Sequence, residues 1–185
     1  MILRSFLLYM WSLLDPFYFA LNRLAYVESG RIGNIFRVRL LRYRGHPITL
    51  SDGTCIRRGD VLVKIHLHNV KLLKLLFKMR SDIEKGKCIS RVVQASLPGL
   101  ASYVERHPKS AHIKGIIGVT LLHKGSRLLG FETFPIQSPW YNAFKWVSQT
   151  PLYFICVSQP IRTFRKQSIR LLLMPKSILM QRYSE

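Results

Sequence analysis

Gly45-His46-Pro47-Ile48-Thr49-Leu50-Ser51-Asp52-Gly53-Thr54 runs on through Gly59-Asp60 into Val61-Leu62-Val63-Lys64-Ile65-His66-Leu67-His68-Asn69. The stretch reads as strand, turn, short strand, turn and long strand. Asp52-Gly53 and Gly59-Asp60 mark the turns, because glycine accepts a positive φ and aspartate bonds its own backbone. Between them lie β-branched and apolar residues, as a half-buried strand requires. From Asn69 the apolar period lengthens from two to about 3.6, so a helix starts where the histidines end. Side chains of chemical interest converge at that strand-to-helix junction.

Upstream, Ile35 to Tyr43 alternates, with Phe36, Val38 and Leu40 on one face and Arg37, Arg39 and Leu41 on the other. In Val61 to His68 the apolar set is Val61, Val63, Ile65 and Leu67, while Leu62, Lys64, His66 and His68 point the other way. Such strands belong to a sheet with one side in the core and one toward water or a ligand. If the two strands share a sheet, Arg37, Arg39, Lys64, His66 and His68 share its open face. Asn69 caps the helix that follows, and a helix N-terminus offers N–H donors and the positive end of a dipole. Arg37, Arg39, Lys64, His66, His68 and Asn69 are therefore the candidate anion-binding residues. His66 and His68, with unperturbed pKa values of about 6.5, are the candidates for acid–base catalysis. The plainer alternative is that the histidines bond backbone at the strand end and Asn69 is only a cap. A metal is not expected. Histidines at i and i+2 resemble half of a hydrolase metal site, but Asp52 and Asp60 read as turn residues and the cations repel an ion. No cofactor motif is present.

Downstream, Asn69 to about Met79 is an amphipathic helix, with Leu72, Leu73, Leu75, Leu76 and Phe77 inward and Lys71, Lys74 and Lys78 outward. Ser81-Asp82-Ile83-Glu84 resembles a capping box, opening a helix that continues to Arg106 past Pro98-Gly99. Ile113 to Leu122 is apolar enough for a central strand, with Gly115 and Gly118 admitting close neighbours. His123 to Leu129 is a short helix stopped by Gly130, and Phe131 to Ile136 a strand that Pro135 assigns to an edge. A helix over Ser138 to Val147, strands over Leu152 to Val157 and Arg170 to Met174, and a helix over Ile178 to Tyr183 capped by Ser177 complete the pattern.

Residues 1–25, MILRSFLLYMWSLLDPFYFALNRLA, are apolar and aromatic. Asp15-Pro16 makes the segment a poor membrane span, since a central carboxylate costs about 2.5–3.5 kcal/mol on insertion scales. The pair reads as the N-cap and first position of a second helix. Three readings stay open: a core helix pair, an interfacial anchor laying Trp and Tyr at a membrane surface, and a signal or span.

The 185 residues suit one domain with a real core, and 48% apolar content excludes a disordered chain. Net charge is +20, from 29 Lys and Arg against 9 Asp and Glu. That imbalance points to anionic lipid, nucleic acid or an acidic polymer as partner. After Phe134 the only acid is Glu185, against seven bases including Arg162, Arg165 and Lys166. Cys55, Cys88 and Cys156 are widely spaced and read as buried reduced thiols of a cytosolic protein. No helix-turn-helix, zinc-finger, nucleotide-loop or nucleophile-elbow signature appears.

Phe36-Arg37-Val38-Arg39, the Ser51 to Thr54 turn, Gly59-Asp60 and the Ile65 to Asn69 run together resemble the YkoP-like domain family of spore-forming Gram-positive bacteria. Gly118 to Glu132 and the closing SILMQRY run are similar to it too, so the likeness covers about residues 26–183. The family occurs as stand-alone proteins and as a domain appended to polysaccharide deacetylases. It has no assigned reaction, so the resemblance implies a cell-envelope or sporulation setting and no catalytic roles. This chain lacks a deacetylase domain, and that activity does not transfer.

The expectation is an α+β domain over residues 26–185, a mixed, mostly antiparallel sheet with helices packed on it, preceded by the apolar segment 1–25. Its expected role is a non-catalytic accessory or anion-binding domain, cytoplasmic and peripheral on the inner membrane face, with an anionic membrane or envelope polymer as partner. Two alternatives stand. One is an enzyme using His66 and His68 on a phosphorylated or acylated envelope precursor. The other is nucleic-acid binding through the basic C-terminal third.

Overall fold

The computed structural model describes residues 2–27, 34–77, 79, 81–121, 123, 125–136 and 168–184. The turn read at 30–34, apart from Asn34, lies outside them. So do the helix Ser138 to Val147, the strand Leu152 to Val157, Cys156 and most of the basic C-terminal residues.

Among the described residues the elements run α1 (Ile2–Leu21), β1 (Ala25–Tyr26), β2 (Phe36–Arg42), β3 (Ile48–Thr49), β4 (Cys55–Ile56), β5 (Val61–Leu67), α2 (Asn69–Leu76) and α3 (Asp82–Arg106). Then come β6 (Ile113–Thr120), β7 (Glu132–Pro135), β8 (Arg170–Pro175) and α4 (Lys176–Tyr183). The main sheet has strand order β1-β2-β5-β6-β8-β7, and β3 and β4 form a separate hairpin. Every neighbouring pair is antiparallel except β5 and β6. That parallel pair needs a long crossover, which α2 and α3 supply. The chain is thus an α+β domain with a mixed, mostly antiparallel sheet, as its alternating apolar strands predict. β6 is central, and β7, carrying Pro135, is at the edge of the described sheet.

One face of the sheet carries Val38, Val63, Ile116 and Met174 and packs on Leu72, Leu73 and Leu76 of α2, Leu97, Leu100 and Val104 of α3, and Leu179 of α4. On the other face, Leu62, Ile117 and Leu173 pack under Ile56 and Leu50 of the hairpin region. Asp52 and Glu132 tie that region down. The Asp52 carboxylate accepts from Thr54 N and Oγ1 and from Ser177 Oγ of α4, while Glu132 Oε1 accepts from Ser51 N and Oγ. Gly115 is required where β6 meets β8, because a Cβ there would lie 2.5 Å from the Met174 carbonyl oxygen. Gly130 takes φ +88° to end the short 3-10 turn Ser126–Leu129, as the sequence predicts.

Several local expectations are corrected. Residues 2–21 form one helix that passes through Pro16, so Asp15 is not an N-cap. Its carboxylate is engaged by Arg37 instead. The cap of α2 is His68 and not Asn69, which is the first helical residue. Pro175, not Ser177, precedes α4. Leu75 and Phe77 are exposed, not inward. The sheet face read as open toward water is largely covered, by the hairpin at one end and α1 at the other. Cys55 and Cys88 are half-buried free thiols rather than buried ones.

Helix α1 ends with Arg23 N donating to Ala20 O and Leu24 N to Phe19 O, the paired bonds of a Schellman stop. The left-handed residue of that motif is Arg23, at φ +48°, where glycine is usual.

Candidate functional site

The register of β2 on β5 sets Arg37 opposite His66 and Arg39 opposite Lys64. His68, one step beyond β5, turns toward the same guanidinium, so five of the six candidate residues gather at one end of the sheet. Asn69 is half-buried on the first turn of α2. The alternation of the two strands brings this about, since each cation sits two residues from the next on the face opposite Val38 and Val63.

Helix α1 lies across this cluster. Asp15 accepts two bonds from Arg37, Nη1 to Oδ1 at 2.8 Å and Nη2 to Oδ2 at 2.6 Å. Arg37 Nη2 also lies 3.3 Å from the Tyr26 hydroxyl and 2.9 Å from His68 Nε2. Its guanidinium is flanked by the Phe19 and Tyr26 rings, 5.1 and 5.3 Å away, which stack on each other at 4.7 Å. Arg37 is 2% exposed. Burial opposes its charge, and the bonds and charge of Asp15 more than offset that, holding it above the ordinary guanidinium pKa.

Arg37 can only donate, so His68 Nε2 accepts and the imidazole is neutral with its proton on Nδ1. Burial first, then the Arg37 charge, lowers the His68 pKa, with Lys71 and Lys74 adding and Asp15 opposing. His66 Nδ1 and the Tyr18 hydroxyl are hydrogen-bonded at 3.0 Å. Burial raises the Tyr18 phenol against the pull of Arg39 and Arg37. Lys64 is buried as well.

The anion that this cationic face attracts is therefore in part the chain's own Asp15. The His68 lone pair is committed to Arg37, which leaves that ring no base to offer. No group of three or more His, Cys, Asp or Glu is placed to hold a metal among the described residues. Sequence reasoning missed Asp15, Tyr18, Phe19 and Tyr26. The available signal was that Asp15 is the one acid in an apolar segment of 25 residues.

The outward side of α1 is the second notable feature. Its sheet side carries Asp15 and Phe19, half-buried at helical spacing. Its solvent side carries Met10, Leu13, Leu14, Phe17 and Leu21, with Phe17 75% and Leu21 85% exposed. A surface helix ordinarily places these sets the other way round. Helix α2 packs beside it and exposes Leu75, Phe77, Lys71 and Lys74. No helix among the described residues is long and apolar enough to cross a membrane.

The family model described as YkoP domain matches residues 4–183. The chain is 40% identical over 183 residues to "Uncharacterized protein YkoP" of Bacillus subtilis (strain 168), spanning 99% of each. No solved structure matches it.

Proposed function

The chain belongs to the YkoP domain family, and we propose that it is a non-catalytic accessory domain that docks peripherally on the anionic inner surface of the membrane. The observation that carries this reading is the exposed apolar stripe Met10, Leu13, Leu14, Phe17 and Leu21 on α1. A contiguous apolar surface rimmed by polar groups marks an interaction site. Each fully buried Leu or Phe contributes about 1.5–3 kcal/mol. A helix with that stripe lies in the interface plane, apolar side down.

Charge favours an anionic occupant, and the apolar stripe beside it favours lipid over nucleic acid. The chain carries a net +20, and α2, which packs on α1, exposes Lys71 and Lys74. Each Lys or Arg near an anionic leaflet adds about 1 kcal/mol. The envelope setting implied by the family resemblance fits a domain held at that surface.

The test is co-sedimentation of the full chain with phosphatidylcholine vesicles, with and without phosphatidylglycerol. Binding to the anionic vesicles, weakened by salt and by Phe17→Ser, supports the reading. Equal binding to both vesicles overturns its electrostatic half. A dimer in sedimentation equilibrium that Phe17→Ser dissociates, without vesicle binding, assigns the stripe to a second copy and overturns the membrane role.

A further inference from the structure

At the C-terminal end of α1 a cleft of about 510 Å³ opens between the Schellman stop, the β1–β2 edge and the last turns of α3. That volume is in the range of small-ligand sites. We propose that this cleft binds a phosphate group between Arg23, Arg39 and His107, with the headgroup of an anionic lipid as its source. The inference deepens the membrane reading and rests on it for the source of the phosphate alone.

Arg39 carries the argument. Its neighbour Arg37 is matched by a carboxylate, whereas Arg39 makes one long bond, Nη1 to the Asn22 carbonyl at 3.4 Å. Its Nε is buried with no hydrogen-bond partner. A guanidinium has five donors in a planar fork, a shape that phosphate oxygens fill two at a time. None of the described residues lining the cleft carries a carboxylate.

His107 adds a defined donor. Its Nδ1 accepts from Lys109 N at 3.0 Å, so the neutral ring carries its proton on Nε2. Tyr103 lies beside it, ring centroids 5.6 Å apart, and its phenol, which burial raises further above neutrality, is a further donor. Arg23 lines the same cleft from its strained left-handed position. Leu21, the most exposed apolar side chain of the stripe, stands at the mouth. A lipid whose acyl chains meet α1 thus has its headgroup beside the cationic cleft.

The probes are dihexanoyl-phosphatidylglycerol below its micellar concentration and glycerol 1-phosphate, each titrated calorimetrically into the full chain. The short-chain lipid is expected to bind, and Arg39→Gln to weaken it about tenfold, the loss of a charge-assisted fork. Arg23→Gln, at an exposed side chain that does not threaten folding, weakens it about threefold. Phe17→Ser leaves this soluble binding unchanged while weakening vesicle co-sedimentation. Binding of glycerol 1-phosphate and not of the lipid, still lost in Arg39→Gln, supports the phosphate site and overturns the lipid source. Lipid binding unaffected by both arginine substitutions overturns the site. Vesicle binding absent from the wild type, with headgroup binding intact, sinks the membrane reading and leaves the cleft standing.

Discussion

Asp15 of α1 and Arg37 of β2 face each other through two hydrogen bonds, 2.8 and 2.6 Å long, with side-chain exposures of 12% and 3%. This pair fixes how the apolar helix lies on the sheet. It turns the polar side of α1 inward, over Arg37, and so leaves Leu13, Leu14, Phe17 and Leu21 outward.

Removing one partner of such a pair strands the other charge in the interior. Asp15→Asn is expected to cost about 3 kcal/mol, the low end for a broken buried ion pair, because Asp15 keeps some contact with water. The urea midpoint measures it. Asp15→Leu combined with Arg37→Met should recover much of the loss, since an apolar pair leaves no orphaned charge.

Much of this was legible in the sequence, and the rest was hidden for identifiable reasons. Period-two alternation gave β2 and β5 and put Arg37, Arg39, Lys64 and His66 on one face. Pairing was invisible, so their covering helix was too. Asp15-Pro16 obeys the local rule for a helix start, and a partner 22 positions away in sequence overrode it. Leu75 and Phe77 followed the helical period into an assumed core, whereas α2 ends at the surface beside α1.

The stability of the domain should fall as pH is lowered from neutrality through about 6.5, the ordinary histidine value. His68 has a depressed pKa in the fold, so the unfolded chain takes up its proton first. Where the unfolded state binds more protons, stability rises with pH, and the contribution is complete above the unfolded pKa. Arg37, Lys71 and Lys74 reinforce the effect, Asp15 opposes it, and the Tyr26 ring stands alongside at 6.4 Å. Urea denaturation across pH 5 to 8 should show the slope in the wild type and a flatter profile in His68→Gln.

Arg23→Gly separates fold from function at one position. At φ +48° a side chain is strained and glycine is not, so the substitution should stabilise by about 1 kcal/mol. A raised melting temperature checks it. The same change removes a cation from the cleft, so thermal stability and phosphate affinity should move in opposite directions.

The hairpin is held to α4 by the Asp52–Ser177 contact, which spans 125 positions of sequence. Burial resists the Asp52 charge, and bonds from Thr54 and Ser177 outweigh it, lowering the pKa. Ser177→Ala should therefore cost about 1 kcal/mol or less. It should also speed hydrogen exchange at Leu50 N, which donates to Thr54 O, while leaving β6 protected.

Gly115 and Gly118 sit three residues apart on β6 and should respond differently to alanine. At Gly115 the new Cβ meets the Met174 carbonyl oxygen at 2.5 Å, and β8 would have to move away along a central ladder. At Gly118 it meets Ile65 Cγ1 at 3.2 Å, the side chain of a half-buried residue that can shift its rotamer. Overpacking of well-packed positions costs about 1–3 kcal/mol. Gly115→Ala should lie at or beyond the upper end of that range and Gly118→Ala near the lower. Equal urea midpoints for the two variants would mean that β8 yields as easily as a side chain, against the register that places Leu173 opposite Ile117 in the core.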